Sequence, residues 1–216
     1  MEIKACIFDL DGVLCDTAKY HYLAWKRLAG ELGFSFTEAQ NERLKGVSRM
    51  DSLEILLEIG HVKCTQKAKE EMAEKKNRWY VEYINKMDQS ELLPGVLDFL
   101  EECRENGLRT ALGSVSKNAG VILERLKLQD YLDAVVDGSQ VSQAKPDPEV
   151  FLKGAKRLGT DPSACVVFED AAAGIEAARR AGMKSVGIGD PGILCQADYV
   201  IPGFEKFHAE MLDQWF

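Results

Sequence analysis

Ala5-Cys6-Ile7-Phe8-Asp9-Leu10-Asp11-Gly12 decides the fold, because four apolar residues lead directly into two carboxylates. A short, unbroken apolar run bounded by polar residues indicates a strand that is buried on both faces, as in a parallel sheet. Open α/β sheets bind their ligands in the crevice beyond the carboxyl ends of such strands. We therefore expect Asp9 and Asp11 to lie at the edge of that crevice.

Two interpretations of this acidic pair are open. Two neighbouring carboxylates repel each other, and a hard cation such as Mg²⁺, which prefers oxygen ligands, would relieve the repulsion. The alternative is an acidic turn from a strand into a loop, in which Gly12 supplies a positive φ.

The composition is that of an ordinary globular protein. The chain has 216 residues, 46% of them hydrophobic and 29% charged, which suits one core with a small insert. A net charge of −8 argues against nucleic acid or an anionic membrane as a partner. We expect a cytoplasmic protein, because no stretch is long and apolar enough for a membrane span and no signal peptide precedes the first strand.

The cysteines and histidines favour neither disulfides nor zinc. The six cysteines are scattered without a C-x-x-C pair, which is typical of free thiols in a reducing compartment. The three histidines, His21, His61 and His208, form no zinc-type cluster.

A helical segment interrupts the chain after the first strand. Residues 17–87 show helical periodicity only, and helices are predicted at 18–32, near 38–44, at 49–59 and at 65–87. The charged run at 63–78 is expected to be a solvated helix face. We interpret 17–87 as an inserted cap that closes over the crevice.

From Leu93 onward strands and helices alternate, which indicates a doubly wound parallel sheet. Strands are predicted at 108–114, 133–136, 164–168, 184–188 and 199–201, and helices at 96–105, 118–126, 149–157, 172–181 and after 204. The predicted fold class is therefore α/β: a Rossmann-like parallel core of residues 1–16 and 88–216 with an inserted α-helical cap domain of residues 17–87.

Polar groups follow three further strands of this sheet. Ser114 is followed by Ser116, Lys117 and Asn118 at the start of a helix, which suits an anion site or, alternatively, ordinary helix capping. Lys145 precedes Pro146, with Asp147 predicted as the N-cap and Pro148 as the first helical residue; it is either a phosphate-binding lysine or a surface lysine. Glu169 and Asp170 form a second acidic pair.

Together the four strand ends predict a metal-plus-phosphate site. Asp9 would attack phosphorus to form an acyl phosphate, and Asp11 would transfer the proton. Lys145 and Ser114 would neutralise and orient the phosphate. The expected cofactor is Mg²⁺, with the candidate ligands Asp9, Asp11, Glu169 and Asp170.

The four motifs resemble the haloacid dehalogenase superfamily: D-x-D-G at 9–12, a serine after strand two, a lysine before proline and E-D after strand four. They are spread over the whole core, so the match is specific. The helical insert resembles the small α-helical cap of that superfamily.

The cap strings resemble the β-phosphoglucomutase family of that superfamily. They are D-T-A-x-Y-H-x-x-A-W-K at 16–26, which ends in Lys26, and L-K-G-V-S-R-x-D-S-L at 44–53. The resemblance implies a substrate site made of Thr17, His21, Trp25, Lys45, Gly46, Val47, Ser48, Arg49, Ser52, Ser116, Lys117 and Asn118. Arg49 would hold a distal phosphate, whereas His21 would help to position Asp11 and a sugar hydroxyl. Taken by itself, His21 is interpreted as an ordinary polar histidine of a cap helix.

The resemblance implies interconversion of β-D-glucose 1-phosphate and glucose 6-phosphate, through an aspartyl-phosphate on Asp9 and a glucose 1,6-bisphosphate. It also implies a monomer whose partner is a phosphorylated hexose. The alternative is a phosphatase with the same Asp9 chemistry, acting on sugar phosphates or pyrophosphate. A catalytically inactive interaction domain is disfavoured, because every motif of the site is present.

Overall fold

The computed structural model describes residues 2–44 and 48–216. The chain divides into two compact units: Met1–Asp16 with Met87–Phe216, and Thr17–Lys86. The second boundary lies one residue before the predicted one, which leaves Met87 with the sheet.

The first unit is built on a parallel sheet of six strands, in the order β3-β2-β1-β4-β5-β6. The strands are β1 (Ala5–Phe8), β2 (Arg109–Gly113), β3 (Ala134–Val136), β4 (Cys165–Glu169), β5 (Lys184–Ile188) and β6 (Tyr199–Ile201). This is the strand order of a doubly wound fold, so the predicted α/β class is confirmed. β1 lies between β2 and β4 and is buried along its whole length, as its apolar run predicts.

The second unit is helical over the described residues. Its helices are α1 (Ala18–Glu31), α2 (Glu38–Asn41), α3 (Arg49–Ile59) and α4 (Gln66–Ile84), with a 3₁₀ turn at Glu42–Leu44. The helix predicted at 65–87 ends at Ile84. The predicted solvated face at 63–78 is wrong at Lys76, which is only 2% exposed, because α4 packs against α1 there.

The described residues of the first unit form five helices, four of them between strands and the fifth after the last strand. They are α5 (Val96–Glu105), α6 (Ala119–Leu126), α7 (Glu149–Leu158), α8 (Ala172–Arg180) and α9 (Glu210–Trp215), and 3₁₀ turns occur at Gln89–Glu91, Gln129–Tyr131 and Pro162–Ala164. α7 begins at Glu149, as the predicted range has it, but its N-cap is Pro148 and not Asp147. Asp147 Oδ1 still accepts the Glu149 backbone N–H at 2.9 Å. Among the described residues, no helix combines the length and the apolar character needed to cross a membrane.

Candidate active site

Pairing of β1 with β4 brings the two acidic pairs together. Phe8 lies opposite Phe168 in the parallel register, so both strands deliver their next residues to the same edge of the sheet. Carboxylate oxygens of Asp9, Glu169 and Asp170 lie within 4.8 Å of one another. Three hard oxygen donors this close together fit a divalent cation.

Asp11 is not a member of this carboxylate cluster. The chain turns immediately after it, because Gly12 has φ +76° and its N–H donates to Cys15 O at 2.8 Å. The turn interpretation and the metal-site interpretation of this segment are therefore compatible with each other. The cluster does not support Asp11 as a metal ligand through its side chain.

Two glycines make room for the cluster. A Cβ on Gly12 would collide with Asp170 Oδ2, and a Cβ on Gly174 in α8 would collide with Glu169 Oε2. The D-x-D-G motif thus needs its glycine for two reasons, the positive φ of the turn and the close approach of a carboxylate from the neighbouring strand.

Lys145 lies among these carboxylates and not on the surface, which rules out the surface-lysine interpretation. Its ammonium donates to Asp9 Oδ1 and to Glu169 Oε2 at 2.8 Å. The side chains of Lys145, Asp9 and Glu169 are 10%, 11% and 2% exposed. Burial lowers the pKa of Lys145, but the two carboxylates outweigh this effect and hold the pKa above its usual value.

The cluster retains excess negative charge even with Lys145 in place. Burial raises the pKa of Glu169, although Lys145 opposes it. Burial and the nearby Asp9 also raise the pKa of Asp170. A bound divalent cation would relieve this repulsion and favour the ionised carboxylates.

The serine turn after β2 lies at the same edge of the sheet, because β2 pairs with β1. Ser114 Oγ accepts the Ser116 N–H at 3.1 Å, and Ser116 Oγ accepts the Asn118 N–H at 3.3 Å. Asn118 is the N-cap of α6 but makes no side-chain capping bond. Both hydroxyl oxygens therefore order the turn as acceptors, and a serine hydroxyl can also donate to an acceptor such as phosphate.

A second group of polar residues lies within the helical unit. Lys76 Nζ on α4 donates to His21 Nδ1 on α1 at 2.7 Å and lies 4.5 Å from the centre of the Trp25 ring. Burial lowers the pKa of His21 well below its usual value, and the charges of Lys76 and Arg49 add to this effect. Burial also lowers the pKa of Arg49. The unit thus concentrates positive charge near a neutral imidazole.

One predicted substrate residue of this unit, Trp25, has a different placement. Trp25 is 2% exposed and packs under the Lys76 ammonium, so the structure indicates a supporting role and not substrate contact. Lys26 is exposed and lies over the Tyr22 ring at 5.3 Å, outside this group.

The other predicted residues of the helical unit have the following positions. Ser48 is the N-cap of α3, with Oγ accepting the Asp51 N–H, and both Thr17 and Ser52 are buried. Lys45, Gly46 and Val47 lie outside the described residues. Lys76 was considered but not chosen as a site residue, because it stands in a charged run. The signal for its burial is the aromatic pair Trp79 and Tyr80, one turn further along the same buried face.

Comparison with known proteins decides the family. The model of the haloacid dehalogenase-like hydrolase family matches residues 3–182. The chain belongs to this family. The match includes all four strand-end motifs. Membership of this family is consistent with a divalent metal ion at the cluster of Asp9, Glu169 and Asp170.

Members of the family resemble most or nearly all of the chain. A β-phosphoglucomutase of Bacillus subtilis is 42% identical over 99% of this chain and 96% of its own length. The crystal structure of a β-phosphoglucomutase from Clostridium difficile superposes with a TM-score of 0.90, at 40% identity over 99% of this chain and 96% of that one. A phosphorylated carbohydrates phosphatase of Thermotoga maritima is 35% identical over 85% of this chain and 84% of its own length.

Proposed function

We propose that this protein is a β-phosphoglucomutase that interconverts β-D-glucose 1-phosphate and glucose 6-phosphate. The observation that carries the proposal is the presence of two separate cationic groups. One is Lys145, bound to Asp9 and Glu169 in the sheet unit. The other is Lys76 and Arg49 around His21 in the helical unit. A phosphatase needs one phosphate site, whereas a mutase must hold a bisphosphorylated sugar by either phosphate.

Asp9 is the proposed nucleophile. A carboxylate that approaches a phosphate dianion at ~3.5 Å is repelled by roughly 9 kcal/mol at an effective dielectric constant of ~20. Lys145 offsets part of this repulsion because its ammonium is already fixed on Asp9. Asp9, Glu169 and Asp170 would hold the proposed Mg²⁺, which would supply further charge neutralisation.

Proton transfer is assigned to Asp11, since it follows the nucleophile closely but lies outside the carboxylate cluster. It would protonate the leaving oxygen in one half-reaction and deprotonate the sugar hydroxyl in the other. Ser114 would orient the transferring phosphate through its hydroxyl.

The distal phosphate is assigned to Arg49, with Ser116, Lys117 and Asn118 as further ligands from the sheet unit. The planar guanidinium binds phosphate through two parallel hydrogen bonds. Lys45 to Ser48 would bind sugar hydroxyls, and neutral His21 would donate to one. In this proposal the helical unit, residues 17–87, is the cap that selects the substrate, and residues 1–16 and 88–216 are the catalytic core.

The second candidate is a phosphatase, favoured by the similarity to the phosphorylated carbohydrates phosphatase. It shares the Asp9 chemistry but transfers the phosphoryl group to water. The two functions differ in the fate of the phosphate and in the need for Arg49.

The test measures both products from β-D-glucose 1-phosphate with Mg²⁺, with and without a glucose bisphosphate primer. A mutase forms glucose 6-phosphate in a primer-dependent manner and releases little inorganic phosphate. Arg49→Ala should reduce isomerisation far more than phosphorylation of the enzyme by a small phosphodonor, whereas the control Arg43→Ala, which removes an exposed pair with Glu58, should change neither. Phosphate release at a rate comparable with isomerisation would establish the phosphatase.

We also propose a cytoplasmic monomer. The six cysteines are free, as is typical of a reducing compartment. Size-exclusion chromatography with light scattering tests the monomer, and a dimer mass would contradict it.

A further inference from the structure

Tyr80 links two residues of the proposed sugar-binding group. It lies on α4, one turn after Lys76, and is 0% exposed. Its ring centre lies 4.0 Å from that of His21, with 25° between the ring planes. Its hydroxyl donates to Thr17 Oγ1 at 3.3 Å. The resemblance to the mutase family did not single out this residue.

The Lys76 bond determines which nitrogen of His21 carries the proton. An ammonium group only donates hydrogen bonds, so Nδ1 must accept, and the neutral imidazole carries its proton on Nε2. This single bond leaves the ring free to tilt about the line from Lys76 Nζ to His21 Nδ1. Stacking against Tyr80 restricts that tilt, because offset aromatic rings prefer near-parallel planes at this separation.

Thr17 holds the Tyr80 ring in turn. Thr17 is the N-cap of α1, four residues before His21, yet its side chain makes no capping hydrogen bond. The hydroxyl accepts from Tyr80 instead. The first turn of α1 is thus joined to α4 twice, by the hydroxyl bond at Thr17 and by the stacked rings at His21.

We propose that Tyr80 is a positioning residue for phosphoryl transfer: its ring sets the plane of the His21 imidazole, so that the Nε2–H group is presented to the sugar phosphate in one orientation. The proposal rests on the proposed function for the identity of the substrate. Tyr80 itself touches neither substrate nor metal in this account, and it acts through His21.

A double-mutant cycle tests this coupling. Tyr80→Leu should lower kcat by about tenfold or more, since small misplacements of a catalytic group have effects of this size, while KM changes less. His21→Asn should lower kcat at least as much. The double variant should match His21→Asn alone, because Tyr80 has no imidazole left to orient. Tyr80→Phe keeps the ring and should restore kcat to within about twofold of the original protein.

Tyr83→Leu is the matched control. It removes an aromatic ring from the same helix, where Tyr83 stacks on Tyr20 at 6.5 Å, and it should leave kcat unchanged. The proposal is overturned if the losses of Tyr80→Leu and His21→Asn multiply, if Tyr80→Phe is as slow as Tyr80→Leu, or if Tyr83→Leu is equally slow. Tyr80→Met replaces Tyr80→Leu in the cycle if circular dichroism shows that the leucine variant is unfolded.

The outcome can be separated from that of the proposed function. If the original protein releases inorganic phosphate without forming glucose 6-phosphate, the mutase proposal fails. The same cycle is then measured on phosphate release, where matching rates of the double variant and His21→Asn support the role of Tyr80 and multiplying losses overturn it.

Discussion

Lys145→Met should destabilise the protein strongly, because it removes the ammonium between two buried carboxylates and keeps most of the side-chain volume. Lys145 Nζ lies 2.8 Å from Glu169 Oε2, and at an effective dielectric constant of ~20 this one pair corresponds to about 6 kcal/mol of Coulomb attraction. Desolvation offsets part of that attraction. Breaking a buried ion pair on one side costs about 3–5 kcal/mol, and we expect a loss in that range at pH 8.

The loss should shrink as the pH falls. The Lys145 ammonium opposes the rise in pKa of Glu169 and Asp170, so without it the folded variant binds protons at a higher pH than the folded original protein does. Stability of the variant relative to the original protein therefore rises towards low pH, by up to about 1.4 kcal/mol per pH unit for each carboxylate that takes up a proton.

Urea unfolding with a metal chelator, between pH 5.5 and 8, measures this effect. Lys153→Met is the matched control, because Lys153 pairs with Glu149 on the surface with its side chain 41% exposed; such a pair contributes about 0.5 kcal/mol or less. If Lys145→Met costs no more than Lys153→Met, or if its cost does not change with pH, the assignment of Lys145 as the buried counterion of Asp9 and Glu169 is refuted.

Two other predictions concern the metal cluster and the helical unit. Gly12→Ala should weaken Mg²⁺ binding by about tenfold or more, as measured by isothermal titration calorimetry. The reason is that the added Cβ would displace the Asp170 carboxylate, and the φ of +76° at this position disfavours residues other than glycine. Gly30→Ala is the control, because a Cβ there meets nothing within 4 Å, and equal Mg²⁺ affinities of the two variants would contradict the prediction. His21 stays neutral in the folded protein because its pKa is lowered below the usual 6.5 by burial, Lys76 and Arg49, whereas the unfolded chain takes up a proton as the pH falls below that value. His21 should therefore reduce the free energy of unfolding by up to about 1.4 kcal/mol at pH 5.5 relative to neutral pH, and His21→Asn should remove this part of the pH dependence. If denaturant unfolding gives His21→Asn the same pH profile as the original protein, folding does not lower the pKa of His21.

The sheet and its acidic edge were predictable because both depend on local patterns. An apolar run such as Ala5–Phe8 is buried on both faces only in a parallel sheet, and parallel strands deliver their next residues to one edge. From these patterns we predicted that four side chains share one site, and the structure places them together: Asp9, Lys145, Glu169 and Asp170.

The features that were missed depend on side-chain direction and on helix pairing. Asp11 leaves the cluster because the chain turns at Gly12, and the spacing of two carboxylates does not show which one faces a cation. Lys76 and Trp25 are buried because α1 packs on α4, a non-local contact that overrides the polar character of the run around Lys76.

The central claim is that the phosphoryl group passes through Asp9, and it is tested most directly by mass spectrometry of the peptide that carries Asp9. The protein is incubated briefly with a small phosphodonor and Mg²⁺, quenched in acid and digested. We predict a mass gain of one phosphoryl group on Asp9, absent in Asp9→Asn and present in Asp11→Asn. A phosphoryl group on another residue, or turnover of β-D-glucose 1-phosphate that survives in Asp9→Asn, would contradict the account.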